Sequence, residues 1–290
     1  MTPDSDQRVA LVTGASSGIG KSTAARLLLR GWRVIGVGRD PGRSAAAAAE
    51  LGAGPGGGSF TMVNADFTAM AEVKRAADEV ISRTGRLDVL INNAGGVRDR
   101  QIITAEGTEA TFAANYLAPF LLTRELMPLL KASAAASPPG TTRVIAVSST
   151  AHRMIDALDF SDLQSLGGFQ PALAYGRAKL ATILFTRELA RRAEPDGIVA
   201  QATHPGRVAS NFASHGDEGM RAYMATADTV APDEPAETLA WLATDPAGGH
   251  PGGRYFYQQA EETPSAAAHD DAAAGRLWAD TETLLVRLGF

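Results

Sequence analysis

Tyr175-Gly-Arg-Ala-Lys179 places a phenol and an ammonium four residues apart, inside a run from Pro171 to about Arg192 that reads as a helix. Residues at this spacing share one helix face, so the two side chains project together. A phenol can give or take a proton, but its ordinary pKa of about 10 suits a reaction near neutrality poorly. A neighbouring ammonium favours the phenolate and lowers that pKa. The pair is therefore a candidate proton-transfer device. A solvated lysine beside a packed tyrosine gives the same pattern, so the surrounding chain has to decide between the two.

Thr13-Gly-Ala-Ser-Ser-Gly-Ile-Gly20 follows a strand-like run, Arg8 to Thr13, and precedes a helix-forming run from Lys21 to Arg30. Glycines permit a tight turn and close approach of backbone to a ligand. The helix N-terminus offers amides and a positive dipole end to a phosphate. Gly14, Ser16, Ser17, Gly18, Ile19 and Gly20 are thus candidate phosphate ligands, although G-x-x-x-G-x-G is not the commonest dinucleotide spacing. A second strand, Trp32 to Gly38, ends in Arg39-Asp40. In a βαβ nucleotide fold this position faces the adenosine ribose. An acid there binds a 2′-hydroxyl and an arginine accommodates a 2′-phosphate. Arg39 comes first, which favours NADP(H) over NAD(H).

Further strands are predicted at Ser59 to Asn64, Leu87 to Asn92, Thr142 to Ser148, Ile198 to Thr203 and Gly253 to Tyr257. Helices are predicted up to Arg83, from Ala105 to Lys131, from Pro232 to Thr244 and from Ser265 to Leu288, the last carrying Leu277, Trp278, Leu284 and Leu285. Pro119 is a candidate kink in the long helix, and Asn115 within its apolar run needs a hydrogen-bond partner. The alternation argues one α/β domain over residues 1–290: a doubly wound Rossmann fold, about seven mostly parallel strands with helices on both faces. Segments near 151–170 and 209–229 read as substrate-side walls.

The bulk composition excludes other classes. At 290 residues, 45% hydrophobic and 20% charged, the chain is ordinary globular protein. A net charge of -5 without a basic run disfavours a nucleic-acid partner. No cysteine is present, which removes disulfides, thiolate catalysis and cysteine metal sites; no metal is predicted. No stretch approaches the roughly 20 apolar residues of a membrane span, and the polar, acidic start is unlike a secretory signal. A cytoplasmic protein without membrane contact is expected.

Together Thr13-Gly-Ala-Ser-Ser-Gly-Ile-Gly20, Asn92-Asn-Ala-Gly95, Asn115, Ser149, Tyr175-x-x-x-Lys179 and Pro205-Gly206 stand in family order, and the chain resembles the short-chain dehydrogenase/reductase superfamily across nearly its whole length. Val147-Ser-Ser-Thr-Ala-His152, His204-Pro-Gly206 and Arg276-Leu-Trp278 resemble its retinol-dehydrogenase-like branch and bacterial relatives, which tend to use NADP. The resemblance implies that Tyr175 is the general acid or base and that Ser149 hydrogen-bonds the substrate oxygen, with Ser148 capping backbone. Lys179 would lower the tyrosine pKa and bind the nicotinamide ribose, and Asn115 would hold a water of a proton relay. Asp66 and Phe67 would contact adenine. Asn93, Ala94 and Gly95 would line the adenosine side. Pro205, Gly206, Val208 and Ser210 would hold the nicotinamide. His204 is expected to pack beneath that loop, and His152 has no evident partner.

The stretch from Ser149 to Tyr175 is longer than the family's usual dozen or so residues. Its extra part, near Met154 to Gly168, could cover the helix faces used for tetramers, leaving a homodimer or monomer open. Ile155, Leu158, Phe169, Phe212, Tyr223 and Met224 are candidate pocket walls for a small, fairly apolar carbonyl or alcohol. The alternative is a non-redox enzyme on the same scaffold (a cyclase or dehydratase) or a cofactor-binding regulator, because fold alone does not fix function.

Overall fold

The central predicted strands are apolar on both faces, the pattern of strands covered from two sides. The computed structural model describes residues 7–52, 57–209, 212 and 216–290, and only the backbone of Met220 and Tyr223. It places these runs in one sheet: β1 (Val9–Thr13), β2 (Arg33–Gly38), β3 (Ser59–Asn64), β4 (Val89–Asn92), β5 (Thr142–Val147), β6 (Ile198–Thr203), β7 (Tyr255–Tyr257) and β8 (Ala260–Glu261). The spatial order is β3-β2-β1-β4-β5-β6-β7-β8. β1 to β7 are parallel and β8 is antiparallel to β7. The eighth strand corrects the expected seven. It returns through Gln258 and Gln259, both at positive φ. Gly or Asn usually marks such a two-residue turn, so Gln-Gln carried no hairpin signal.

Helices cover both faces: α1 (Gly18–Leu29), α2 (Pro41–Leu51), α3 (Met70–Arg83), α4 (Ala110–Phe112), α5 (Ala118–Ala135), α6 (Pro171–Ala193), α7 (Glu218–Thr226), α8 (Asp233–Thr244) and α9 (Asp271–Arg287). Successive strand residues face opposite sides. Val9 and Leu11 therefore join one core with α3, α5, α6 and α9. Ala10 and Val12 join the other with α1 and α8. The strand order reverses between β1 and β4, and the crevice outside their carboxyl ends is where open α/β sheets bind ligands.

The long helix predicted from Ala105 begins instead at Ala110, after a turn in which Thr104 and Thr108 hydrogen-bond each other. Glu109 caps its start by accepting from the Phe112 amide at 2.9 Å. Between α4 and α5 lies a π-helical turn, Ala113–Leu117. Pro119 stands just beyond it. Proline has no N–H to bond the carbonyl four residues back, and that carbonyl belongs to Asn115. The Thr182 hydroxyl on α6 lies 3.3 Å from it, sharing its one hydrogen with the nearer Ala178 carbonyl at 2.9 Å. The expected kink is thus a widened turn at the residue singled out for its chemistry.

α9 closes the molecule over α6. Leu277 and Leu285 are buried, and the Trp278 ring stacks with Phe185 at 5.8 Å and meets Phe120 edge-on at 4.8 Å. The Tyr116 hydroxyl pairs with Thr281 at 2.7 Å. Leu158, Phe160 and Leu163, from the long stretch before Tyr175, pack against this same core, and the Arg276 guanidinium lies 4.2 Å from the Phe160 ring centroid. No helix among the described residues is long and apolar enough to cross a membrane.

If α9 is held by this apolar seam, Leu277→Ala lowers stability by about 2–5 kcal/mol. On the outer face of the same helix, Val286, 70% exposed, tolerates alanine within about 0.5 kcal/mol. Urea unfolding of both variants checks the contrast; equal losses would place α9 outside the core.

Candidate active site

The carboxyl ends of the strands frame a cleft of about 670 Å³. At one end β1 passes into α1 through Gly14 and Gly18, both at positive φ. A Cβ on Gly20 would overlap the Gly14 carbonyl oxygen and sit 2.7 Å from Asn93 Nδ2. The turn is therefore as tight as backbone allows. Ser17, the N-cap of α1, makes no capping hydrogen bond through its side chain, so the first-turn amides remain donors for an anion. The ends of β1 and β4 are laced together. Thr13 Oγ1 accepts from the Asn93 and Ala94 amides, both at 2.9 Å, and Asn93 Nδ2 donates to the Thr13 carbonyl at 2.7 Å.

Further along the cleft, Arg39, Arg43 and Arg98 line the wall with Asp66 and Phe67. Arg98 is half-buried; burial and the neighbouring Arg39 charge hold its guanidinium below the usual arginine range. Asp40 does not line the cleft. Its carboxylate caps α2 by accepting from the Arg43 amide at 2.8 Å. Asp66 Oδ1 accepts from the amide and hydroxyl of Thr68, each at 2.9 Å. Sequence spacing missed Arg43 and Arg98. Arg43 stands in the first turn of α2 while Arg39 directly follows the strand before it, so no helical repeat links the two. Arg98 reaches the cleft from a loop, where no periodicity announces it.

At the other end stand Tyr175, Lys179 and Ser149, all lining the cleft. Tyr175 and Lys179 lie side by side on α6, Nζ being 5.5 Å from the ring centroid. The turn is bolted to β5 in both directions: Lys179 Nζ donates to the Val147 carbonyl at 2.9 Å, and Ser148 Oγ donates to the Lys179 carbonyl at 2.8 Å. Ser148 thus has the backbone role expected of it. Ser149 follows as N-cap of a 3₁₀ turn, Thr150–Met154, its side chain accepting from the Ala151 amide at 3.2 Å, and it is near enough to Tyr175 to pull the phenol's pKa down. Gly176 lets this turn approach, since a Cβ there would lie 2.8 Å from the Ala151 carbonyl oxygen. Phe212 meets Tyr175 edge-on at 5.2 Å.

The electrostatics differ from the sequence expectation. Lys179 was expected to lower the phenol's pKa, but burial dominates both groups. It pushes the Tyr175 phenol up, against Ser149, which pulls it down, and depresses the Lys179 ammonium to about 7. With a pKa of about 7 the amine is only half protonated at pH 7, and it offers the phenol less positive charge than a full ammonium would.

Asn115 lies behind the cleft wall rather than in it. Its Nδ2 donates to the Gly96 and Thr111 carbonyls, both at 2.8 Å, and its Oδ1 accepts from the Gly96 amide at 3.1 Å. The polar side chain on an apolar helix is explained as a clamp on the loop after β4. A Cβ on Gly95 would lie 2.5 Å from Asn115 Oδ1 and 3.4 Å from Lys179 Nζ, so only glycine fits between them.

Gly14, Ser16, Ser17, Gly18, Ile19, Gly20, Asn93, Ala94, Gly95, Pro205, Gly206 and Val208 also line the cleft; Ser210 lies outside the described residues. The substrate-wall expectation needs correction. Phe212 and Met224 line the cleft, but Ile155 and Leu158 face the core and Phe169 is elsewhere. Met154, Ala172, Ala151 and Thr150 take their place. The middle of the long stretch is fastened outward, Ser165 accepting from Gln101 Nε2 and Arg177, and helical or alternating patterns do not encode such loop anchoring. Tyr223's side chain is not described.

The model of a family described as short chain dehydrogenase matches residues 8–220. Retinol dehydrogenase 14 of Mus musculus is 37% identical over 293 residues, covering 96% of this chain and 86% of that protein. Among solved structures, Pseudomonas aeruginosa RhlG in an NADP active-site complex matches with a TM-score of 0.68 and 30% identity, over 86% of this chain and 93% of that one. An NADH-dependent reductase, A1-R′, complexed with NAD matches with a TM-score of 0.66 and 26% identity, over 86% and 94% of the two chains.

The depressed Lys179 ammonium has a consequence for stability. Between pH 7 and 10.5 the unfolded chain holds a proton at this lysine that the folded chain does not, so this residue makes stability rise with pH across that window. Below it the burial penalty is fully present. Lys179→Met removes the titration. The stability of the wild-type chain relative to Lys179→Met therefore climbs from pH 7 to pH 10, by urea unfolding. A flat difference would mean that the lysine keeps its proton in the fold.

Proposed function

This chain belongs to the short-chain dehydrogenase family, and from that premise we propose that it interconverts a carbonyl and an alcohol with NADP(H) as its preferred cofactor. The carrying observation is the convergence of Tyr175, Ser149 and Lys179 on one cleft with a glycine turn built for phosphate. Membership supports an NAD(P)-dependent oxidoreductase, and the family's alcohol/carbonyl chemistry supports the reaction class.

The cleft fits a dinucleotide on its own terms. Gly14 and Gly20 leave no space for a side chain, and the uncapped start of α1 supplies donors. Gly14, Ser16, Ser17, Gly18, Ile19 and Gly20 hold the diphosphate; Asp66, Phe67, Asn93, Ala94 and Gly95 line the adenosine; Pro205, Gly206 and Val208 border the nicotinamide. When bound, the nicotinamide supplies or takes the hydride. Ser149 donates a hydrogen bond to the substrate oxygen, and Tyr175 gives that oxygen a proton in reduction or takes it in oxidation. The elevated phenol pKa keeps the proton on Tyr175 until an alkoxide forms beside it, which suits the reductive direction. Lys179 holds the ribose, and Asn115 keeps the loop at Gly95 and Gly96 in register with it.

NADP preference rests on charge. Arg39, Arg43 and Arg98 line the adenosine end, while the only acid at the end of β2, Asp40, is spent on capping α2. Guanidiniums suit a 2′-phosphate, and Asp66, the carboxylate on that wall, already accepts from the amide and hydroxyl of Thr68. Met154, Ala172, Phe212 and Met224 supply apolar contact for a fairly apolar ketone, aldehyde or alcohol. The retention of Asn115, Ser149, Tyr175 and Lys179 weighs against a non-redox use of the scaffold.

Absorbance assays across a panel of ketones and aldehydes test the reading with NADPH and NADH side by side. Turnover with NADPH is expected to exceed that with NADH. Tyr175→Phe lowers kcat by roughly 10²–10⁴-fold and leaves the NADPH Kd nearly unchanged. Arg39→Leu weakens NADPH by roughly 10-fold or more, the worth of a charge-assisted hydrogen bond, and spares NADH. Full turnover in Tyr175→Phe would refute its role; equal losses for both cofactors in Arg39→Leu would refute the 2′-phosphate site.

A further inference from the structure

Two histidines flank the reaction centre, and both reach the same short segment that leads from β8 into α9. His152 is fully buried on the Thr150–Met154 turn. Its Nε2 lies 3.0 Å from the Ser265 amide, which can only donate. Nε2 is therefore an acceptor and carries no proton. The ring's proton sits on Nδ1, 2.6 Å from the Ser149 carbonyl oxygen, which can only accept. Burial also lowers the His152 pKa, which agrees with a neutral ring. The same Ser149 carbonyl accepts from the His152 amide at 3.2 Å.

His204 is the mirror case. Its Nδ1 accepts from the Gly206 amide at 3.2 Å, so the proton lies on Nε2, 2.7 Å from Glu262 Oε2. Arg153 holds the same carboxylate, its Nη2 lying 2.5 Å from Oε1. The Tyr255 ring lies between the two imidazoles, edge-on to His152 at 5.3 Å and stacked with His204 at 5.5 Å, and Tyr257 stacks on the outer face of His204 at 4.4 Å. The loop of Ser149 and the loop of Pro205 and Gly206 thus hang from one segment, Glu262 to Ser265, each through one imidazole.

We propose that His152 and His204 are positioning residues: neutral imidazoles of opposite tautomer, Nδ1–H in His152 and Nε2–H in His204, by which the Glu262–Ser265 segment sets the placement of Ser149 and of Gly206. Neither ring touches the reacting atoms. The inference rests on the proposed roles of Ser149 and Gly206, and the tautomers can be read without any turnover.

The test has two arms. In the first, the imidazole nitrogens of ¹⁵N-histidine-labelled protein are read by NMR at pH 7 and assigned with His152→Asn and His204→Gln. The proposal requires one pyrrole-type Nδ1 with a pyridine-type Nε2 at His152, and the reverse at His204. A doubly protonated or exchanging ring at either position overturns it.

The second arm uses Ser265→Pro. Ser265 has φ -65, the value proline imposes, and its hydroxyl makes no hydrogen bond. The change therefore removes the amide hydrogen that orders His152 and sets the proline Cδ on the same line toward Nε2, so the imidazole loses its donor and must move. The expected result is loss of the single His152 tautomer and a kcat about 10-fold lower, with the NADPH Kd within about twofold; a misplaced catalytic group costs rate rather than cofactor affinity. Companion variants separate geometry from folding: His152→Asn keeps a donor near Ser149 and retains kcat within about threefold, while His152→Leu loses about 10-fold or more. Unchanged kcat in Ser265→Pro and His152→Leu overturns the positioning role. A wild-type protein inactive on every carbonyl, yet with both tautomers as stated, would fail the functional reading and leave the tautomer assignment standing.

Discussion

A buried lysine held against the end of a strand governs this molecule. Lys179 donates to the Val147 carbonyl while Ser148 donates back to the Lys179 carbonyl. This reciprocal pair fixes one turn of α6 to the end of β5, and with it the spacing between Tyr175 and Ser149. Everything near it accommodates the arrangement. Gly95 has no side chain because Asn115 and Lys179 stand where one would go, and Gly176 has none because the turn carrying Ser149 presses on α6. Burial raises the Tyr175 phenol and lowers the Lys179 ammonium. Such a site is a local cost in stability, offset by the two apolar cores around the sheet.

The architecture was legible because its signals are local. Apolar runs ending in glycine or small polar residues marked the strands, and their alternation with helical runs implied the doubly wound sheet. The reaction centre was legible because Tyr175 and Lys179 obey helical spacing and the glycines of 14–20 obey turn chemistry. What escaped was non-local. β8 is two residues long and enters through a Gln-Gln turn that imitates no hairpin signal. The start of the Asn115 helix slipped by five residues because Thr104 and Thr108 close a turn that periodicity does not see. Ile155 and Leu158 were assigned to the pocket on hydrophobicity alone, a property they share with the core that holds them. His152 lacked a partner in the sequence because its partner amide, Ser265, lies 113 residues away.

The proline at 119 shows how a local rule acquires a distant use. Its missing N–H cannot bond the Asn115 carbonyl, the backbone before it widens into a π turn, and the Thr182 hydroxyl of α6 stands 3.3 Å from that carbonyl while also bonding Ala178. Asn115 is left with its side chain directed at the loop after β4, where it holds Gly96 by both backbone groups. The loop that borders Lys179 is therefore positioned by a helix defect rather than by a regular element, and defects of this kind concentrate at functional sites.

The central claim, that the Tyr175 and Lys179 turn sits beside a nicotinamide engaged in hydride transfer, is tested most directly by isotope transfer. The wild-type protein is incubated with a reducible ketone and NADPH deuterated at the transferable C4 position, and the alcohol is analysed by mass spectrometry and NMR. The account predicts a single deuterium on the carbinol carbon. An alcohol formed without deuterium at that carbon for either C4 epimer of the cofactor, or tight NADPH binding with no consumption across the ketone panel, would contradict it.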